Sequence, residues 1–300
     1  MKGLNAAHGG FAVDRRGGKG EIYFALPQVG IIRIGSDLET IDVLGTDAAM
    51  IPKNLHNTTI WYGKRDAAYL TFPSTDAFKV FTTTITGDLL HTLNAPTAET
   101  PFDEGRVSKY FREGGKFVPT DVEILNNRFY ITTGYSPLDY VLTADVKTKD
   151  GVSVEWTPFA FGGKGRKLGQ FGTGHGITVM PDRKTITVAD RPNSEIEHFD
   201  KKGNYLGRLE LPKGSFPCDV DYVSGYTVVG CLHGPDREKG APIYIVRDGQ
   251  LKSTIMIKED LGLDKFQHIH NAVMVSRNGK FYVIAQAWNP GDFAILEQVK

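Results

Sequence analysis

A unit of two short strands recurs six times along these 300 residues. It consists of a small alternating strand, a polar turn and a second apolar strand. It reads HGGFAVDRRGGKGEIYFAL from His8, HNTTIWYGKRDAAYLTF from His56 and DVEILNNRFYITTGY from Asp121. It returns as HGITVMPDRKTITVADR from His175, DVDYVSGYTVVGCLH from Asp219 and HNAVMVSRNGKFYVIAQ from His270. Successive starts lie 48, 65, 54, 44 and 51 residues apart. Four short strands with their turns occupy about 40–50 residues, the size of a propeller blade. The spacing therefore predicts one all-β, six-bladed β-propeller over 1–300, with blades starting near 8, 56, 121, 175, 219 and 270. The longest interval carries an insertion at about 95–117, which includes TAETPFDEGRVSKYFREGGK and is expected to form a loop or short helix. A β-sandwich also has many short strands, but it does not require one residue type to recur at the start of every unit.

Composition narrows the function classes. Basic and acidic residues balance at 35 each, without a long run of either sign. That removes the usual electrostatic case for nucleic acid or an anionic membrane as partner. No apolar stretch reaches the length of a membrane span. The opening residues MKGLNAAHGG lack the apolar core of a secretion signal, which fits a cytosolic chain or the mature domain of a secreted or periplasmic one. Cys218 and Cys231 either pair across adjacent strands or stay as buried free thiols.

In a propeller the innermost strand of each blade lines the axial channel. Aligning the units places His8, His56, Asp121, His175, Asp219 and His270 at one level of that channel. Apolar or small residues are the default there, because polar side chains in a narrow channel must be hydrogen-bonded or coordinated. The even-numbered blades supply His56, His175 and His270 in approximate threefold array. Three neutral imidazoles with an open fourth position are the usual arrangement of a catalytic zinc. His8 is then a fourth ligand or a neighbour of the ligands, and Asp121 and Asp219 are candidates to orient imidazole N–H groups. The competing reading is a hydrogen-bonded polar plug without metal. His268 lies two residues before His270, so either can be the ligand from blade six. His91 and His198 fall on outer strands and read as surface residues.

Some 14–16 residues after each ring member the second strand ends, and its loop opens onto one face. Tyr135, Arg191, His233 and Gln286 stand there, with Trp288 close by. A phenol, a guanidinium and an imidazole form a candidate acid–base and anion-binding set. Gln286, Trp288 and Phe72 are candidates for substrate contact.

At this point the sequence resembles a known family. HGITVMPDRKTITVADRPNSEIEHFDKKGNYL, from His175, is similar to the fourth blade of peptidyl-α-hydroxyglycine α-amidating lyases, within the wider group of NHL-repeat propellers. VPTDVEILNNRFYITTGYS, ending past Tyr135, resembles their third-blade motif, and GRKLGQFGTGHG resembles their glycine-rich lead-in. The likeness covers about a third of the chain. It implies zinc on His56, His175 and His270, with Tyr135 as base and Arg191 stabilising a developing anion. The reaction it implies splits a carbinolamide C–N bond and releases an amide and glyoxylate. Three features depart from the family pattern: Ala25 and Leu26 replace an arginine, Asn271 replaces a calcium-binding aspartate, and the cysteine pairs of secreted members have no counterparts.

Other signals carry less. The glycines of GGKGRKLGQFG do not lie between a strand and an amphipathic helix, so they read as an interblade turn and not as a phosphate loop. The leading expectation is a monomeric, zinc-dependent lyase acting on a small-molecule or peptide-terminal substrate. One alternative is an NHL-type propeller that binds a peptide or protein without catalysis. A second resembles non-haem iron oxygenases, with His8 as fourth ligand and Fe2+ or another divalent transition metal in place of Zn2+.

Overall fold

A computed structural model describes residues 3–299. The apolar runs found in the sequence become strands, and the Gly, Asn and Asp positions between them take the tight turns. Blade one contains β1 (Ala12–Val13), β2 (Ile22–Leu26), β3 (Gly30–Ile34) and β4 (Ile41–Val43). Blade two contains β5 (Thr59–Tyr62), β6 (Ala68–Ser74), β7 (Lys79–Thr84) and β8 (Leu89–Asn94). After helix α1 (Gly105–Arg112), blade three contains β9 (Asp121–Leu125), β10 (Arg128–Thr132), β11 (Tyr140–Lys147) and β12 (Ser153–Gly162). Blade four contains β13 (Gly174–Val179), β14 (Thr185–Asp190), β15 (Glu195–Asp200) and β16 (Tyr205–Glu210). Blade five contains β17 (Phe216–Val223), β18 (Tyr226–His233), β19 (Ile243–Arg247) and β20 (Gln250–Ile255). After the short helix α2 (Ile257–Leu261), blade six contains β21 (Ile269–Arg277), β22 (Lys280–Ala287) and β23 (Asp292–Glu297). Each blade is a separate antiparallel meander, of four strands in blades one to five and three in blade six. This is a six-bladed β-propeller.

A blade is apolar on both faces, so it must pack against a neighbour on each side. Six clusters of buried side chains provide that packing, one at each interface between adjacent blades. Phe72 and Leu70 meet Ile31 between blades one and two. Phe171, Phe199 and Ile186 meet Tyr130 and Val141 between blades three and four. The ring closes where Phe24 and Ile32 of blade one meet Val273 and Ile284 of blade six. The segment before β1 also joins blade six through the Gly291 N–H, which donates to the Asn5 carbonyl at 2.9 Å.

The insertion is not merely a polar loop. Helix α1 starts at Glu104, whose carboxylate accepts from the Arg106 N–H at 3.2 Å, as an N-cap does. Its buried face, Val107 and Phe111, joins Phe102 and Phe117 in covering the outer part of blades two and three. Among the described residues no helix is long and apolar enough to cross a membrane.

Candidate functional site

The chain enters each blade from the axis, so the residues just before or at the start of each innermost strand face one another. His56, His175 and His270 do this from blades two, four and six. Their ring centroids lie 4.8 Å (His56–His175), 4.6 Å (His56–His270) and 4.9 Å (His175–His270) apart, close to an equilateral triangle. All three are buried. His8, less buried, stands over one edge of the triangle, with its centroid 4.5 Å from those of both His56 and His270. Ligand atoms of His8, His56 and His270 all fall within 4.8 Å of one another.

Backbone carbonyls fix two of these rings. His56 Nδ1–H donates to the Thr120 carbonyl at 2.7 Å, and His175 Nδ1–H donates to the Cys218 carbonyl at 2.7 Å. Each Nε2 is thereby left with its lone pair facing the axis. His270 has no such anchor, since its buried Nδ1 lacks a partner, while its Nε2 lies 3.2 Å from that of His56. Burial, reinforced by neighbouring positive charge and by the other rings, holds all three far below the usual imidazole range. Burial first, and then the Arg191 charge, brings His8 down to about 4. The four rings are neutral at pH 7, the form that coordinates a cation.

Tyr135 and Arg191 complete the cluster. The Tyr135 hydroxyl lies 3.2 Å from His56 Nε2 and 3.0 Å from His175 Nε2. Arg191 donates from Nη1 to the Tyr135 oxygen at 3.0 Å, and from Nη2 to His175 Nε2 at 2.7 Å and Cys218 Sγ at 3.1 Å. Its Nε is buried without a partner. Burial pushes the Tyr135 phenol up despite the adjacent guanidinium, so the resting phenol is neutral. Both cysteines are buried free thiols.

The aspartates lie one level deeper than the sequence alignment places them. The true counterparts of the three histidines in blades three and five are Thr120 and Cys218, whose carbonyls receive the imidazole N–H groups. Asp121 and Asp219 follow them and belong to a second tier with Asn57 and Asn271. There Asp219 Oδ2 accepts from Asn271 Nδ2 at 2.6 Å and from Asn57 Nδ2 at 3.3 Å. Asp121 accepts the Ile177 N–H at 2.8 Å. Neither carboxylate reaches an imidazole N–H, so the expected orienting role passes to the two carbonyls. The sequence match set aspartates against histidines by residue type and so put blades three and five one residue out of step with the ladders, in which His175, Cys218 and His270 occupy the same bulged position. Burial brings Asp219 up to about 7 and, with the Asp219 charge, raises Asp121 well above the carboxylate range. A cavity of about 780 Å³ opens beyond this tier at the opposite mouth; Glu123 and Asp221 line it and none of the ring histidines does.

Other sequence candidates fall elsewhere. Phe72 is fully buried in the core between blades one and two, so it cannot touch a substrate. Gln286 is also fully buried, and both of its amide atoms lack a partner. His233 packs edge-on against His268, with centroids 4.7 Å apart. His268 Nδ1–H donates to the Leu232 carbonyl at 3.1 Å, and the ring stands outside the axial group. Trp288 does belong to the site's rim, since it stacks on His8 with a centroid separation of 5.4 Å. His91 and His198 are half-buried on β8 and β15. Asn54, whose side-chain amide nitrogen lies 3.0 Å from His8 Nδ1, carries no motif and was invisible to pattern reading.

No family model and no curated protein matches the chain. Solved structures do share its fold. A streptogramin B lyase superposes with a TM-score of 0.57 at 10% identity, over 99% of this chain and 96% of that one. A catalytically inactive histidine-to-alanine variant of virginiamycin B lyase from Staphylococcus aureus, with quinupristin, gives 0.52 at 12% identity over 99% and 85%. A chain of a nidogen/laminin complex gives 0.58 at 11% identity over 90% and 85%. At such identities the likeness is one of fold.

Proposed function

We propose that this propeller is a divalent-metal lyase of the amidating-lyase type, with zinc as its metal, acting on a small-molecule or peptide-terminal carbinolamide. The fold is shared with a lyase and with a nidogen propeller, so fold alone leaves catalysis and protein binding equally open. One observation favours catalysis: His56, His175 and His270 meet at the axis as neutral rings, beside a phenol and a buried guanidinium. Neutral imidazoles suit zinc, and the 3.2 Å between the Nε2 atoms of His56 and His270 matches two ligands on one tetrahedral ion, about 3.3 Å apart at Zn–N bonds of 2.0–2.1 Å.

His56, His175 and His270 are the proposed ligands, with His8 beside them. A divalent cation held there supplies a Lewis acid that polarises an oxygen of the substrate. Tyr135 moves the proton. Its phenol sits against two of the three ring nitrogens, and the Arg191 charge opposes the burial that keeps it protonated. Taking the hydroxyl proton of a carbinolamide closes a C=O bond, breaks the C–N bond and returns a proton to the leaving nitrogen. Arg191 is the only guanidinium among these contacts and is placed to receive the negative charge of a glyoxylate-like product.

Purified protein is to be assayed for metal by mass spectrometry and for glyoxylate release from an N-acyl-α-hydroxyglycine. One divalent ion per chain, with chelator-sensitive release, supports the reading. Metal-free protein of unchanged stability overturns it in favour of a binding propeller, and a redox-active iron overturns the choice of zinc.

A further inference from the structure

The four axial imidazoles do not share one tautomer. His56 and His175 donate from Nδ1 to carbonyls and so present bare Nε2 atoms to the axis. His8 is held the opposite way. Its Nδ1 lies 3.0 Å from the side-chain amide nitrogen of Asn54, and an amide N–H can only donate. The same nitrogen donates to Thr75 Oγ1 at 2.8 Å while the amide oxygen is buried without a partner, and the Asn54 backbone N–H donates to Asp76 Oδ1 at 3.0 Å, which holds the turn that carries the side chain. An imidazole that accepts at Nδ1 and stays neutral carries its proton on Nε2. The ring itself is fixed by stacking on Trp288, at a centroid separation of 5.4 Å and an interplanar angle of 27°.

We propose that Asn54 locks His8 as a hydrogen-bond donor into the mouth of the channel, so that His8 serves the substrate and is not a fourth metal ligand. A protonated Nε2 has no lone pair for a cation. It stands over the His56–His270 edge, on the less buried side of the group, where a substrate oxygen or leaving nitrogen bound at the open position must lie. A neutral imidazole N–H in that place stabilises charge that develops on the substrate, at the end of the site away from Arg191. Which substrate atom His8 serves rests on the lyase reading; the tautomer does not.

Selective 15N-histidine labelling tests the tautomer on the protein itself. Eight histidines make the spectrum tractable, and His8→Ala identifies the signal. The long-range 15N–1H pattern of His8 is expected to show a protonated Nε2 and a bare Nδ1, opposite to His56 and His175. Asn54→Asp places only acceptors beside Nδ1 and is expected to exchange the two shifts. A protonated Nδ1 on His8 in the wild type, or identical patterns in Asn54→Asp, overturns the proposal. Metal content separates the two readings. With Co2+ as probe, His8→Ala is expected to keep one ion per chain and the wild-type visible spectrum while turnover falls about 10²-fold. Loss of the ion or a changed spectrum in His8→Ala makes His8 a ligand and overturns the proposal. A wild type that takes up no Co2+ sinks the metal-lyase reading and leaves the tautomer standing.

Discussion

The Nε2 atoms of His56 and His270 lie 3.2 Å apart although 214 positions separate the residues in the chain. Two neutral acceptor nitrogens at that distance repel unless one carries a proton or both face a shared cation. In the first, His270 Nε2–H donates to His56 Nε2 and His270 Nδ1 is the bare atom; in the second, His270 carries its proton on Nδ1. The second uses both lone pairs.

Metal should therefore stabilise the fold through these two rings. An ion at about 100 times its dissociation constant adds about 2.7 kcal/mol to the stability of the state that binds it. Thermal melts with Zn2+ and with chelator should differ by several degrees for the wild type. For His56→Ala and His270→Ala the two curves should coincide. A chelator-insensitive wild type would show that the rings hold no ion.

Arg191 and a cation compete for the same electron pair. Nη2 donates at 2.7 Å to the His175 Nε2 that the proposed centre needs, and its charge lowers the basicity of all four rings. Arg191→Ala should then bind metal more tightly, by about tenfold or more, while turnover falls about 10²–10³-fold. Arg191→Lys should not rescue, because one ammonium cannot replace a fork that spans Tyr135 and His175. Isothermal titration with Zn2+, alongside kcat, checks the two opposite signs; weaker metal binding in Arg191→Ala would contradict the competition.

The architecture was legible because blades repeat. Strand pairs recur at a nearly constant interval, and the recurrence of His and Asp at unit starts marked the axis. Tyr135 and Arg191 were legible for the same reason, since each lies 14–16 residues after the start of its unit, just past the second strand. The level of Asp121 and Asp219 was not. His175, Cys218 and His270 share one bulged position, but matching by residue type sets Asp219 against the histidines, and a one-residue slip redirects every side chain. Phe72 failed through the same alternation, which turns it into the face packed on blade one. Asn54 lies in a turn ahead of blade two, and only the closed ring brings it to His8, 46 residues earlier.

Glu197 makes stability depend on pH away from the site. Its side chain is fully buried, with Oε1 accepting the Gly169 N–H at 3.0 Å and Oε2 without a partner. Burial, aided by the Glu195 and Asp190 charges, raises its carboxyl to about 8. The folded state thus binds more protons than the unfolded chain between the ordinary glutamate range and about pH 8, and stability falls as pH rises through that window. Glu197→Gln keeps the acceptor and removes the charge. Its melting temperature should match the wild type near pH 5 and exceed it by several degrees near pH 9. A constant gap across that range would mean the carboxyl is not held neutral.

Gly134 controls where Tyr135 points. Its backbone passes so close to blade four that a Cβ would overlap the Gly174 carbonyl oxygen and lie 2.9 Å from its carbonyl carbon. The obstacle is backbone, which cannot rotate away, and Gly174 directly precedes His175. Gly134→Ala must push the β10 exit loop away from β13 and carry the phenol off His175 Nε2, now 3.0 Å away. Overpacking of this kind costs about 1–3 kcal/mol. Displacing a catalytic group by about 1 Å lowers turnover on the order of 10²-fold. Because His56 and His175 keep their carbonyl anchors at Thr120 and Cys218 and His270 is remote from this loop, metal content should stay at one ion per chain. Loss of turnover with retained Zn2+ and a modestly lower melting temperature is the expected combination, measured by mass spectrometry, kinetics and calorimetry. Wild-type turnover in Gly134→Ala would remove Tyr135 from the reaction, since no folded arrangement of that loop leaves both the Cβ and the phenol where they stand.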